Sequence, residues 1–452
     1  RFFMAQEKLI DKVNDTPLRK IAYPLVIENL LFLAFSSIDV FMLSGYSDKA
    51  VAAVGLITQY TWFLLLLLQV IPNGATISLT NFLGAGQVEK AKKISRTALQ
   101  MVIVFGLFFG LVFAFLIPQI LKKYNIDNEV RLFASQYAFI YSAFSVFSGI
   151  SIVQSSILRS YGHTKDAMVV NAIANSLNIV GNALALYGWF GLPILGVKGV
   201  AISTVASQFA GAIILSVRIA CLKDSKYSIK NPFKIVKSEW RQILKIGVPT
   251  AGESVSWNLS QLVIMIIITT FGTAAIAAFT YLMTILRFIY MIAISVGTAS
   301  QIKTGHYCGA GLQQTAYKNV FCYQISGSAV SLFIATVIFI FRHQMIAFFT
   351  TDVAITSIIL SVMPVTFFLE LGRSINVIII PCLMASGDIH FPVGAGIFSN
   401  WMISTLLSYV FAVLFGWGFI GVIIAMACDE LFRGTLMIFR WKSKVWMYKK
   451  AV

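Results

Sequence analysis

The chain has 452 residues, of which 58% are hydrophobic and only 12% are charged, and its mean hydropathy is +0.82. Soluble globular domains carry about 25% charged residues, so this composition excludes that class. A formal net charge of +17 could indicate a nucleic-acid partner, but the Lys and Arg residues lie in short segments between apolar runs. Basic residues in such segments are topology signals. We therefore predict an all-α polytopic membrane protein with no nucleic-acid partner.

Apolar runs long enough to cross a bilayer as helices recur along the chain, without the alternating ten-residue strands of a barrel. They predict twelve transmembrane helices over 18–44, 50–81, 94–121, 131–158, 166–188, 198–221, 242–271, 275–304, 317–342, 353–384, 391–415 and 418–441. Basic residues concentrate before the first span, after the second, in the central segment and at the end. The positive-inside rule therefore predicts that both termini lie in the cytoplasm, and we expect the protein in the plasma (inner) membrane. The polar, charged first twenty residues do not resemble a cleavable signal peptide.

The first span, PLVIENLLFLAFSSIDVF, carries two acidic residues, Glu28 and Asp39. A spacing of eleven residues places them within about 20° of one helix face, which also carries Phe35 and Ser36. A carboxylate at the centre of a membrane helix costs roughly 2.5 to 3.5 kcal/mol, and it usually faces a protein interior or a water-filled path. We predict such a face here. The alternatives are a structural pair for Glu28 and an interface-level cap for Asp39.

An internal repeat organises the chain. PLVIE at 24–28 returns as PTAGE at 249–253, the GAG at 84–86 returns at 309–311, and Asn175 returns as Asn400, all with an offset of 225 residues. Because each half holds six spans, the halves form a parallel repeat about an axis along the membrane normal. The predicted organisation is an N-lobe (1–221), a cytoplasmic linker (222–241), a C-lobe (242–441) and a cytoplasmic tail (442–452).

Further polar residues lie within the predicted spans. Glu253 is the repeat twin of Glu28, and it shares a helix face with Trp257 and Gln261. Asn178 and Asn182, four residues apart, can hydrogen-bond a carboxylate or its protonated form, or can join two helices.

Three sets of charged residues in the second half could form ion pairs. Glu370 and Arg373, three residues apart, could form an intrahelical pair, as could Asp429 and Arg433. The second pair leaves Glu430 without a role. Arg287 needs an acidic partner, for which we predict Glu253 or Glu370.

Six stretches together resemble a known transporter family. They are KAVAAVGL (49–56), the FLGAG and YCGAG turns, LRSYGHTKD (158–166), LMASGDIHFP (383–392) and GVKGVAIST. In their order along the chain and in their duplication between the two halves, these stretches resemble the multidrug and toxic compound extrusion (MATE) transporters, in particular bacterial NorM- and DinF-like members. The resemblance implies two six-helix lobes across a central cleft, and an antiporter that exchanges H⁺ or Na⁺ for amphipathic or cationic organic compounds.

The resemblance also implies roles for particular residues. Asp39 matches the acidic residue of the first helix that forms the N-lobe proton or cation site, and Asn178 matches its neighbour on the fifth helix. Asn182 stands where many members have Asp, which leaves Asp39 to carry the charge. Glu253 and Glu370 match the acidic pair implicated in sodium binding in NorM-like members. The resulting cation-coupling set is Asp39, Asn178, Asn182, Glu253 and Glu370, and the substrate-cleft set is Glu28, Phe35, Ser36, Trp257, Gln261, Arg287 and Arg373.

No cofactor is expected beyond the coupling ion, and the only metal expected is Na⁺ at Glu253, Glu370 or Asp39. The expected partners are membrane lipids and small organic cations or drugs, with the chain acting as a monomer. The five cysteines are scattered singly, which indicates reduced packing residues.

Four other functions are alternatives to an antiporter. The major facilitator class would carry its Gly-x-x-x-Asp-Arg-x-Gly-Arg-Arg turn after the second span, where GAGQVEKAKK stands instead. A lipid-linked precursor flippase of the same fold superfamily stays open, although such proteins tend to have a strongly cationic cavity. An intramembrane enzyme lacks a recognisable motif, since the four histidines form no HExxH and no Gly-x-Ser-x-Gly occurs. A sensor without transport would show no gradient-dependent flux.

Overall fold

The structure, a computed structural model, describes residues 15–191, 193–222 and 236–449, and these contain helices but no strand. The prediction of an all-α fold is confirmed. In chain order the helices are α1 (Leu18–Ser44), α2 (Asp48–Gly84), α3 (Val88–Leu121), α4 (Asn128–Ala143), α5 (Ser145–Ser160), α6 (Thr164–Tyr187), α7 (Gly196–Cys221), α8 (Lys237–Thr269), α9 (Thr273–Gly309), α10 (Gln313–Ile340), α11 (Arg342–Phe349), α12 (Val353–Ala385), α13 (His390–Leu414) and α14 (Phe419–Lys442). Short 3₁₀ turns lie at Trp189–Gly191 and Val445–Tyr448.

Most of these helices can cross a bilayer. Among the described residues ten are long and apolar enough, and α4 with α5, which meet at a 48° bend, make an eleventh span if counted together. The last helix, α14, has 24 residues, about 36 Å at 1.5 Å per residue. It has spanning length but is less apolar, because it carries acidic and basic residues in its middle. With α14 the helices cover the twelve predicted spans.

The helix α13 is irregular. Its first part, His390–Phe398, is α-helical, but Ser399–Thr405 and Val410–Leu414 are π-helical. A π turn changes the hydrogen-bond pattern of the backbone and is frequent at functional sites. Here the main-chain carbonyl of Asn400 accepts hydrogen bonds from the Ser260 hydroxyl (2.9 Å) and the Thr405 hydroxyl (2.8 Å). Side chains thus satisfy a polar backbone group that lies inside an apolar environment.

The structure repeats with the offset found in the sequence. Helices α2 and α9 each have 37 residues, and both ends differ by 225 positions. Helices α4 and α12 both begin after an aspartate cap, Asp127 and Asp352, whose carboxylate accepts a backbone N–H two residues on at 2.7 Å. The parallel six-plus-six repeat is therefore present in the fold as well as in the sequence.

The chain forms two compact units. Of the described residues, 23–191, 193–222 and 236–251 belong to the first unit, and 15–22 and 252–449 belong to the second. Buried aliphatic side chains from several helices form each core, such as Leu79 with Ile157 in the first unit and Leu282 with Val362 in the second. Most of the predicted linker, 223–235, lies outside the described residues.

Close approach of α12 to α14 depends on Gly372. A Cβ atom built there would lie 2.5 Å from the carbonyl carbon of Glu430 and 2.6 Å from the amide nitrogen of Leu431. Small residues let membrane helices approach this closely, because packing rather than the hydrophobic effect holds them together in lipid.

We expect Gly372→Ala to lower the melting temperature of the purified protein in detergent, because overpacking costs about 1–3 kcal/mol. Gly394→Ala is the matched control. Gly394 is also helical, and a Cβ there would meet nothing within 4 Å, so alanine should be neutral or stabilising by up to about 1 kcal/mol. Equal melting temperatures for the two variants would contradict this account of the α12–α14 contact.

Candidate functional site

Asp39 in the first unit is held by neutral amides. The Nδ2 atom of Asn182 on α6 donates to Asp39 Oδ1 at 2.9 Å. One turn earlier, the Asn178 amide satisfies both its ends when its nitrogen donates to Asp39 Oδ2 (3.3 Å) and its oxygen accepts from the backbone N–H and hydroxyl of Thr204 (3.2 Å each). Among the described residues the Asp39 oxygens thus receive amide donors, and no ion pair compensates their charge. The structure brings Asp39, Asn178 and Asn182 together, as predicted.

Glu28 lies on α1, the same helix as Asp39, and it too contacts α6. Its Oε1 accepts from Asn171 Nδ2 at 2.6 Å and forms an ion pair with the Arg159 guanidinium. Glu28 and Asp39 are eleven residues apart, and so are Asn171 and Asn182, so α1 and α6 run parallel in one register. The two carboxylates lie about 16 Å apart along this seam. Of the two carboxylates, only Glu28 forms an ion pair with a basic side chain of the described chain.

In the second unit, Arg433 on α14 contacts three carboxylates. Its Nη2 atom lies 3.1 Å from Glu430 Oε2 and 3.7 Å from Asp429 Oδ2, and its Nη1 atom lies 3.6 Å from Glu253 Oε1. Gly396 of α13 allows Glu253 to lie there, because a Cβ on Gly396 would be 2.9 Å from Glu253 Oε1. One guanidinium is therefore shared among three acids from α8 and α14.

Arg373 on α12 extends this network. Its Nη1 atom lies 2.9 Å from Glu370 Oε1 and its Nε atom lies 3.4 Å from Glu430 Oε1, while the guanidinium stands 5.1 Å from the ring centroid of Tyr290. Glu430 also accepts from Asn376 Nδ2 at 2.7 Å. Glu430 is thus the best-satisfied acid, since two guanidiniums and an amide donate to it.

Most of the network is buried, and its most exposed side chains are Glu253 (22%) and Arg373 (13%). Glu370 is fully buried, and the side chains of Asp429, Arg433 and Glu430 are 5%, 7% and 10% exposed. The Ser399 hydroxyl, from the π-helical part of α13, donates to Asp429 Oδ1. Among the described residues no three His, Cys, Asp or Glu side chains converge as a metal ion requires; these carboxylates converge on guanidiniums instead.

Two predicted pairs are confirmed and one is wrong. Glu370 pairs with Arg373, and Asp429 lies within 3.7 Å of Arg433. The prediction that Arg287 pairs with Glu253 or Glu370 is wrong: Arg287 is exposed, and within the described residues it forms no ion pair. The two acids instead contact Arg433 and Arg373, whose guanidiniums project from helices of the same buried network.

The other residues predicted to line a substrate cleft lie in different environments. Ser36 and Trp257 are exposed, whereas Phe35 and Gln261 are half-buried. Glu28 and Arg373 are each held in an ion pair. A cleft role for these residues stays a prediction.

Sequence reasoning missed several members of the two sites. Asn171 could have been found, because its spacing from Asn182 equals that of Glu28 from Asp39. Arg159 lies 131 residues from Glu28, and no spacing rule connects them. Glu430 and Asn376 meet 54 residues apart in the same way. Their contacts depend on the packing of helices, which a single sequence does not reveal.

Comparison with known proteins supports this architecture. The family model MatE matches residues 24–184 and again residues 249–410, so the two matches begin 225 residues apart. The chain is 34% identical over 447 residues to the uncharacterized transporter YisQ of Bacillus subtilis, covering 98% of this chain and 97% of that protein. It is 29% identical over 446 residues to the probable multidrug resistance protein NorM of Thermotoga maritima, covering 96% and 93%.

Solved structures agree with the fold. A crystal structure of MATE in the bent conformation has a TM-score of 0.89 at 17% identity, covering 97% of both chains. An outward-facing multidrug resistance MATE family transporter of the MOP superfamily has a TM-score of 0.88 at 18% identity, again covering 97% of both chains. The helical repeat and these matches define a multi-pass membrane transporter. The chain belongs to the MATE family.

We expect Arg159→Met to destabilise the protein by about 3 kcal/mol, because it leaves the Glu28 carboxylate without its cation. The expected loss of stability is at the low end of the range for buried ion pairs, because the side chains of Glu28 and Arg159 are 15% and 24% exposed. The double variant Glu28→Gln/Arg159→Met should recover most of the loss. Thermal unfolding of the purified proteins in detergent measures both effects, and equal destabilisation of the single and double variants would rule out the charge explanation.

Proposed function

We propose that the protein is a secondary active antiporter that exchanges H⁺ or Na⁺ for small amphipathic or cationic organic compounds by alternating access. We place it in the plasma membrane with both termini in the cytoplasm, where the basic segments indicate. The relatives named as probable multidrug resistance proteins support the substrate class. The observation that carries the proposal is Asp39, a membrane carboxylate bonded on both oxygens by neutral amides.

The chemistry of Asp39 suits reversible ion binding. Amides fix the position of the carboxylate but supply no charge, and an uncompensated carboxylate inside a membrane helix costs roughly 2.5 to 3.5 kcal/mol. A proton or a monovalent cation relieves this cost when it binds. Because an amide can donate to a carboxylate and accept from a carboxylic acid, Asn178 can serve both states. Asp39 can therefore load and release the coupling ion without rearranging the helices that hold it.

Glu253 and Glu370 support a second site for the coupling ion, in the second unit. Glu370 Oε1 pairs with Arg373, whereas its Oε2 is buried without a hydrogen-bond partner in the described part of the chain. Glu253 reaches its guanidinium only at 3.6 Å. Both acids thus keep capacity for a further positive charge.

The substrate class follows from the sign of the buried charge and from nearby aromatic rings. The second unit holds four carboxylates with two guanidiniums in a largely buried network, which favours a cationic cargo over the phosphate of a lipid-linked precursor. Exposed aromatic side chains such as Trp257 offer apolar and cation–π contact to an organic cation. These features favour the antiporter over the flippase alternative.

The test is efflux of a fluorescent organic cation, ethidium, from reconstituted vesicles under an imposed proton gradient and, separately, a sodium gradient. We expect one gradient to drive flux, and Asp39→Asn to lower that flux by at least about tenfold, equivalent to ~1.4 kcal/mol. Glu253→Gln tests the second site in the same assay.

Glu129→Gln is the control, because Glu129 is a half-exposed surface residue paired with Lys49, and such pairs contribute little. If neither gradient drives flux in the parent protein, antiport is wrong. If Asp39→Asn transports as fast as the parent, the assignment of Asp39 fails and the broader function stands.

A further inference from the structure

We propose that Asp429 on the last helix binds a coupling cation, and that the network around Arg433 takes up two monovalent positive charges, as protons or sodium ions. This inference rests on the proposed cation coupling and extends it to a residue whose spacing alone indicated a structural pair with Arg433. The network of the second unit thereby binds a defined number of positive charges.

The charge of the network is the first argument. Glu253, Glu370, Asp429 and Glu430 are linked to Arg373 and Arg433 by contacts of 3.7 Å or less, which gives a formal charge of −2 when every group is ionised. No other Lys, Arg or His nitrogen of the described chain pairs with these acids. Burying uncompensated charge is strongly unfavourable. The missing two positive charges must therefore come from bound ions.

The distances show which acids lack a partner. Glu430 receives both guanidiniums and the Asn376 amide, and Glu370 has a 2.9 Å contact with Arg373. Among the guanidiniums of the described chain, Glu253 and Asp429 reach only that of Arg433, at 3.6 and 3.7 Å. Charge-assisted hydrogen bonds are normally about 2.7–2.9 Å long. Because Glu430 already engages Arg433 at 3.1 Å, Glu253 and Asp429 have the weakest fixed counter-charge of the four acids.

An unpartnered polar atom beside the network also indicates a ligand. Asn376 is 3% exposed; its nitrogen bonds Glu430, while its oxygen, on the same amide and hence beside the network, has no hydrogen-bond partner in the described residues. Amide oxygens of this kind accept from a hydrated proton or coordinate a monovalent cation.

The experiment counts positive charges bound by the purified protein, in an Asp39→Asn background that removes the site in the first unit. Equilibrium dialysis with sodium-22 measures bound sodium, and the infrared carbonyl band of carboxylic acids measures bound protons at the same pH. We expect the sum to be about two per protein with the network intact and about one in Asp429→Asn, because the formal charge falls to −1.

A double variant separates charge uptake from structure. Asp429→Asn/Arg433→Gln returns the formal charge of the network to −2, so we expect the sum to return to about two. A sum that does not follow the formal charge of the network in these two variants would mean that the Asp429–Arg433 contact is merely structural. Asp429→Glu keeps the charge and should keep the sum at about two. Size-exclusion profiles establish that each protein counted is folded.

Asp352→Asn is the matched control, because Asp352 is an exposed helix cap outside the network and asparagine caps equally well. An unchanged sum in Asp429→Asn, or a sum of zero with the network intact, would overturn the inference. The vesicle assay of the parent protein is independent of this count. Gradient-driven flux with an unchanged sum overturns only the role of Asp429, whereas a sum of two without flux overturns only antiport.

Discussion

Compensation of buried charge is the constraint on which this structure depends. In a bilayer, a carboxylate without a partner is costly, so each acidic residue retained in a spanning helix must be matched by a fixed cation, a proton or a mobile ion. The protein uses different forms of compensation along one pair of helices. Arg159 neutralises Glu28, whereas Asp39 is hydrogen-bonded by the amides of Asn178 and Asn182 and has no ion pair within the described residues. The choice of partner separates a position with a fixed counter-charge, Glu28, from Asp39, which we propose binds an ion.

The internal repeat shows which parts of this arrangement belong to the scaffold. Glu28 and Glu253 occupy equivalent positions, but their guanidinium partners, Arg159 and Arg433, do not: the repeat position of Arg159 is Met384. Asp39 is replaced by the fully buried Ile264. The two units therefore share helix geometry and one acidic position but differ in how charge is compensated. A transporter with two such units can bind coupling ions differently in each.

The sequence was sufficient for the fold because its signals are local or periodic. Apolar runs locate the helices, and a constant offset of 225 residues reveals the repeat, which the bounds of α2 and α9 reproduce. The sequence also predicted that Asp39 lies beside its two asparagines, because these residues match positions of the MATE family. Arg159 and Asn376 depend on helix packing across long stretches of chain, so spacing could not find them. Arg287 was assigned a partner by depth alone, although a long arginine side chain can carry its charge away from the helix axis.

The way each counter-charge is attached determines what an acid can do in transport. In the antiport that we propose, a guanidinium tethered to the lobe cannot leave, so Glu28 keeps the same charge state whichever side of the membrane is open. The counter-charge of Asp39 arrives from water and returns to it in that mechanism, which makes its occupancy depend on the gradient. Glu253 and Asp429 are intermediate, because they share one guanidinium with a third acid, Glu430, that holds it more closely. A shared cation fixes their geometry while leaving charge for an exchangeable ion to supply, so the same network can be both rigid and responsive.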